Sequence, residues 1–158
     1  MSKAQQKADK DLVVGLGATG LSIARYLKRN DRNAIFYDSR KEPPGLDKLD
    51  ELIPDAELRL GNDKLPRNVT RVIASPGIPD SHPLLKKARK KKLEIVSDIE
   101  LFARDASKPF VAVTGSNGKR TVTSILYQMC RADGRNALAG GILGEPALDL
   151  LDQDVPDI

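Results

Sequence analysis

The chain has one cysteine, one histidine and no apolar run long enough to span a bilayer. Each scarcity excludes something. Cys130 alone forms no internal disulfide, so a disulfide-stapled secreted scaffold is ruled out. A membrane-spanning helix needs about 20 consecutive apolar residues, and Met1 to Lys10 is polar and charged, without the apolar stretch of a secretory signal. The expectation is a soluble, cytoplasmic protein with no membrane partner. His82 is the only imidazole and lies in Ser81-His82-Pro83. A proton shuttle is conceivable at its ordinary pKa, but proline suits the first position of a helix, so His82 reads as a helix-start residue.

What is present is enough for a core. Of 158 residues, 40% are apolar, which fits one domain, or one domain and part of a second. The formal charge is +4, yet six of the seven residues from Lys86 to Lys92 are basic. No aromatics interleave with them and an apolar stretch follows from Leu93 to Val96. They read as a solvated helix end, where cations suit the dipole, and no nucleic-acid partner is expected.

Short apolar strands are expected at Leu12 to Leu16, Ala34 to Tyr37, Arg71 to Ala74, Glu94 to Val96, Phe110 to Thr114 and Asn136 to Ala139. Helical spacing runs through Leu21, Ala24 and Leu27, through Leu46, Leu49 and Ile53, from Leu84 to Lys92, from Asp98 to Asp105, and from Thr121 through Val122, Ile125, Leu126 and Met129; a short helix is expected from Pro146 to Leu151. The alternation predicts an α/β fold: a Rossmann-like parallel sheet domain over residues 1–106, then an incomplete P-loop-type α/β domain over 107–158.

Two glycine-rich turns carry the chemistry. Gly15-Leu16-Gly17-Ala18-Thr19-Gly20 satisfies G-x-G-x-x-G between a strand and a helix, with Asp38 after the next strand. Gly15 permits the tight turn, Gly17 lets a phosphate approach the backbone, Gly20 lets helix and strand pack closely, and Asp38 would accept a bond from a ribose-like hydroxyl. An NAD-dependent oxidoreductase is one reading. The pattern recognises a diphosphate and a sugar without specifying nicotinamide, so a nucleotide-sugar fits equally, and a plain βα turn is the bland alternative. Ser75-Pro76-Gly77 would reach the same sheet edge, or simply form a Pro-Gly turn.

The second turn is Val113-Thr114-Gly115-Ser116-Asn117-Gly118-Lys119-Arg120-Thr121. Counting back from Lys119 puts Val113 where the first glycine of G-x-x-x-x-G-K-[ST] belongs, and Arg120 stands where the hydroxyl belongs. What remains is a shorter T-G-x-x-G-K-x-T. Glycines that turn N–H groups inward, a lysine and a helix N-terminus suit phosphate. An Asn-Gly turn is the alternative.

Together with Asp38-Ser39-Arg40, Pro44-Gly45-Leu46, Ala74-Ser75-Pro76-Gly77-Ile78, His82-Pro83, Ser97-Asp98-Ile99-Glu100-Leu101-Phe102 and Gly140-Gly141 with Gly144, these turns resemble the Mur ligases, within them the D-glutamate-adding kind. The likeness runs from Leu12 to Leu151. It implies an ATP- and Mg²⁺-dependent peptidoglycan ligase that joins D-glutamate to UDP-N-acetylmuramoyl-L-alanine through an acyl phosphate. By the same likeness, Ala18 and Thr19 would hold the UDP-substrate's diphosphate, Asp38, Ser39 and Arg40 its uridine end, and Ser75, Pro76 and Gly77 would line the cleft. Gly115, Ser116, Asn117, Gly118, Lys119, Arg120 and Thr121 would hold ATP, with Lys119 stabilising the moving phosphoryl group.

The sequence departs from that family at Arg120, where serine or threonine would bind magnesium, and at Ile142, where asparagine is usual. A guanidinium has no lone pair for a cation, and Thr121 lies about 100° further round a helix. The family's metal carboxylate, its later histidine and modified lysine, and its glutamate-binding domain would fall beyond Ile158. A chain of these 158 residues is therefore expected not to ligate, and a site for the UDP-substrate would lie mostly before Val96. A non-enzymatic nucleotide- or UDP-sugar-binding module and the NAD-dependent oxidoreductase are the alternatives.

Overall fold

The computed structural model describes residues 9–153, which form two compact units, one ending at Asp98 and the other beginning at Ile99. This division falls inside the helix expected from Asp98, ahead of the expected boundary at residue 106.

The first unit is a parallel sheet of β1 (Lys10–Val14), β2 (Ala34–Asp38), β3 (Glu57–Leu60), β4 (Val69–Ala74) and β5 (Glu94–Val96), in the order β3-β2-β1-β4-β5. The helices are α1 (Ala18–Arg29), α2 (Leu46–Leu52) and α3 (Pro83–Lys90). Leu12 pairs with Ile35 and Val72, which sets β1 at the centre. Side chains alternate across a strand. Leu12, Val14, Ile35, Tyr37 and Val72 therefore share one face and pack with Leu84, Leu85 and Ala88 of α3. On α1, Leu21, Ile23, Ala24 and Leu27 are buried, and the helix ends in Lys28 and Arg29, which complement its C-terminal dipole. β3 was not foreseen: Glu-Leu-Arg-Leu pairs only with β2 and has no buried residue.

At the N-terminal edge of this sheet Asp11 is fully buried and clamped by two arginines. Arg32 donates from Nε to Oδ2 at 2.8 Å and from Nη2 to Oδ1 at 3.2 Å. Arg71 donates from Nε to Oδ1 at 3.0 Å and from Nη2 to Oδ2 at 2.9 Å. Every acceptor site of the carboxylate is used, and β1, β4 and the turn before β2 are tied together.

The second unit contains most of α4 (Asp98–Asp105), then α5 (Lys119–Ala132) and a 3₁₀ helix, Ala147–Asp152. Two expected strands do not form. Residues 110–114 have no ladder partner among the described residues; Phe110 instead meets Phe102 edge-on at 5.6 Å, and Val111 is 62% exposed. Residues 136–139 have no regular secondary structure, and Ala137 N–H bonds the Arg135 carbonyl at 3.0 Å. A strand exists only through its neighbour's hydrogen bonds, and apolar character alone does not supply one. Consistently, α5 has no buried residue and exposes Val122, Ile125, Leu126 and Met129.

Candidate functional site

The C-terminal edge of the first sheet gathers the residues expected there. Gly15 holds φ +102°, and its N–H bonds the Tyr37 carbonyl at 2.8 Å. A side chain at Gly20 would place Cβ 2.0 Å from the Gly15 carbonyl oxygen, whereas one at Gly17 would meet nothing within 4 Å. The three glycines thus divide as expected into a turn, an open approach and a close packing contact. Gly17 caps α1 without a side-chain bond, no acid lies in the first turn, and the first intrahelical bond is Leu21 N–H to Gly17 at 3.0 Å. The N–H groups of Ala18, Thr19 and Gly20 precede it and are donors for an anion. Gly45 N–H bonds the Leu16 carbonyl at 3.1 Å, which seats the Pro44-Gly45-Leu46 turn against this loop.

Asp38 ends β2 with its carboxylate turned towards the loop. Oδ2 accepts Leu16 N–H at 2.9 Å and Arg40 Nη2 at 2.8 Å; Oδ1 accepts Arg40 N–H and Arg40 Nε, both at 2.9 Å. A carboxylate offers about four lone-pair sites, and four donors occupy them. The Arg40 side-chain bonds, with burial opposing them and the Leu16 and Arg40 N–H bonds assisting, hold this carboxyl down at about 2. Arg40 is half exposed and fixed in orientation, with the rest of its guanidinium donors available. Ser39 is exposed beside it.

Across the edge, Ser75 Oγ donates to the Gly15 carbonyl at 3.3 Å and Ser75 N–H to Val14 at 3.0 Å, so the Ser75-Pro76-Gly77 turn is joined to the first glycine loop. Pro76 and Gly77 are exposed. Ser75 and Pro76 also line a cleft of about 690 Å³ with Ile78, Arg89, Ile95 and Ser97. Three residues that sequence reasoning had not joined meet nearby. Buried Tyr37 donates its hydroxyl to Asp63 and lies 3.5 Å from His82 Nε2. His82 Nδ1 accepts Leu84 N–H at 3.3 Å, so it does cap α3. Burial, then the bond to Asp63, pushes the Tyr37 phenol well above its ordinary range. Tyr37 had counted only as an apolar strand end, and nothing in the spacing marked Asp63.

In the second unit, Gly118 caps α5 in the left-handed region at φ +75°, and Lys119 Nζ donates to the Gly115 carbonyl. Gly115, Ser116, Asn117, Gly118, Arg120 and Thr121 are exposed and Lys119 is partly so. The first bond inside α5 is Val122 N–H to Gly118 at 3.0 Å, which leaves the N–H groups of Lys119, Arg120 and Thr121 for an anion. Magnesium does not fit these residues. It takes hard oxygen donors, usually including a carboxylate, but the first turn has no acid, position 120 is a guanidinium, and the described residues contain no cluster of three or more His, Cys, Asp or Glu. At Gly140-Gly141-Ile142-Leu143-Gly144, Gly141 N–H bonds the Glu145 carbonyl at 2.8 Å, and Ile142 is 39% exposed.

Residues 9–97 match the family model described as the N-terminal domain of Mur ligase MurD-like proteins. The chain is also similar to proteins named UDP-N-acetylmuramoylalanine--D-glutamate ligase. That of Nitrosococcus oceani is 48% identical over 155 residues, covering 97% of this chain and 34% of the relative. That of Legionella pneumophila is 46% identical over 145 residues, covering 90% and 32%, and that of Marinobacter nauticus 46% over 146 residues, covering 91% and 33%. The chain spans about a third of the length of the curated relatives it matches.

Proposed function

Because the chain belongs to the Mur ligase family, by its MurD-like N-terminal domain, we propose that it supplies the UDP-substrate-binding part of a cytoplasmic ligase adding D-glutamate to UDP-N-acetylmuramoyl-L-alanine. The observation that carries this reading is the saturation of Asp38. In a nicotinamide-binding domain the acidic residue after the second strand must accept from a ribose hydroxyl, but here Leu16 and Arg40 fill all its acceptor sites. Asp38 positions, and Arg40 and Ser39 meet the ligand: a planar guanidinium held at the edge suits the carbonyl oxygens and ring face of a pyrimidine. The free N–H groups at Ala18 and Thr19 take the diphosphate. The turn at Ser75, Pro76 and Gly77 closes the far side.

In the whole reaction, the substrate carboxylate attacks the γ-phosphorus of ATP and ADP leaves. The D-glutamate amine then displaces phosphate from the acyl carbon as the amide forms. Within this chain, Gly115 to Thr121 would bind the nucleotide's phosphates, with Lys119 offsetting charge as the phosphoryl group moves. The donors present among the described residues do not suit magnesium. Arg120 favours a second reading, in which the chain binds nucleotide or UDP-sugar without ligase chemistry.

The test is a titration of the purified protein with UDP-N-acetylmuramoyl-L-alanine and, separately, NADH. Saturable binding of the UDP-sugar that is weakened by Arg40→Met is expected. Tight NADH binding without UDP-sugar affinity would overturn the assignment.

A further inference from the structure

The loop before α5 combines two facts that pull apart. Its backbone is arranged for phosphate: Gly118 caps the helix without a side chain, the three N–H groups that follow precede the first intrahelical bond, and no acid competes in the first turn. Its side chains reject a divalent cation. Arg120 is the second residue of the helix, is exposed, and forms no ion pair with any described residue. We infer that this loop takes the metal-free nucleotide, with the Arg120 guanidinium standing in for the cation. The inference rests on the nucleotide reading above and deepens it by naming the ionic form bound.

The physical case is a matter of charge and donors. A metal ion at a phosphate loop neutralises phosphate oxygens and is itself held by an oxygen ligand of the protein. Arg120 offers no lone pair, carries a permanent charge and presents donors in a fork that matches phosphate oxygens. A magnesium–nucleotide complex entering this loop would bring a divalent charge towards that guanidinium and the Lys119 ammonium, while its phosphates would already have lost part of their negative charge. The uncomplexed nucleotide meets two cations and three N–H donors with its full charge. Thr121 does not reverse the balance, since its side chain leaves the helix about 100° from that of Arg120.

The test is calorimetric titration of the 158-residue protein with ATP in excess EDTA and in excess Mg²⁺. Binding about tenfold tighter in EDTA is expected, the scale of one extra charge contact between water-like and surface dielectrics. Lys119→Ala should abolish binding in both media, which locates it at this loop. Arg120→Ala should lower affinity in EDTA without creating a response to Mg²⁺, and Arg120→Ser should abolish or reverse the preference; circular dichroism checks that each variant keeps its helices. Tighter binding with Mg²⁺ in the unaltered protein would overturn the inference and leave the nucleotide reading standing. No ATP binding in either medium would overturn both.

Discussion

Replacing Asp38 by asparagine removes one acceptor oxygen from a group whose four acceptor sites are all filled. Either orientation of the amide leaves two N–H donors facing an NH₂ group. The amide oxygen should stay with Leu16, because that N–H is buried, whereas Arg40 is half exposed and can be solvated. The lost bonds are then the Arg40 N–H and Nε contacts to Oδ1. A net hydrogen bond contributes about 0.5–1.5 kcal/mol and one to a charged group about 1.5–3, so losing one of each, Asp38→Asn should cost roughly 2–4 kcal/mol. The pH dependence gives an independent check. A carboxyl held at about 2 against an ordinary 3.8 stabilises the fold by roughly 2 kcal/mol at neutral pH, a gain fully present above the unfolded-state value and lost as pH falls from about 5 to about 2. The variant should lack this slope. Glu57, held below its ordinary value chiefly by the Lys10 hydrogen bond, leaves a smaller slope in both proteins. Urea unfolding followed by circular dichroism at several pH values measures both effects. A variant within about 0.5 kcal/mol of the parent, with the same acid dependence, would refute the account of Asp38.

Asp11→Ala leaves Arg32 and Arg71 without their carboxylate and should destabilise the first unit by about 3–5 kcal/mol, read as a lowered urea midpoint; a near-neutral result would mean that the clamp is strongly compensated. Gly20→Ala puts a methyl against the Gly15 carbonyl and should prevent tight folding of the loop, while Gly17→Ala should cost less than about 1 kcal/mol and act mainly on UDP-sugar affinity; equal effects of the two on stability would contradict the division of roles. Tyr37→Phe should remove a phenol whose raised pKa stabilises the fold below its ordinary 10.0 and ceases to do so as pH rises through the folded value. The parent should therefore lose stability above about pH 10 more steeply than the variant, which alkaline unfolding curves would show.

Much of the first unit was legible because its central strands β1 and β2 are almost wholly buried and its helices carry an apolar stripe. β5 and α4 also fall on their expected residues. β3 was not legible: a four-residue edge strand with Leu58 and Arg59 exposed and no buried residue has little apolar signature, and only its pairing with β2 defines it. The opposite error at 110–114 has the same origin, since Phe110 to Val113 has the composition of a strand and no described partner. At the site, the spacing from Gly15 to Asp38 identified the turn and the acid. It did not show that Arg40, two residues on, closes back on that acid, nor that Asp11 holds two arginines, because such contacts depend on side-chain directions set by the sheet.

The two glycine loops differ in how their positive charge is balanced. In the first, Arg40 is already paired with Asp38, so a diphosphate would be met mainly by neutral N–H groups at the start of α1, and the paired guanidinium contributes shape and direction more than net charge. That balance suits a ligand recognised along its length, where fixed geometry selects the partner. In the second, Lys119 leans on a neutral carbonyl and Arg120 has no acidic partner among the described residues, so two positive charges converge with the dipole of α5. A loop of that charge favours the most anionic form of its ligand. A serine or threonine at position 120 would remove one of these charges and add a hydroxyl oxygen that can face a cation, so Arg120 is the side chain in this loop that most strongly opposes a metal complex.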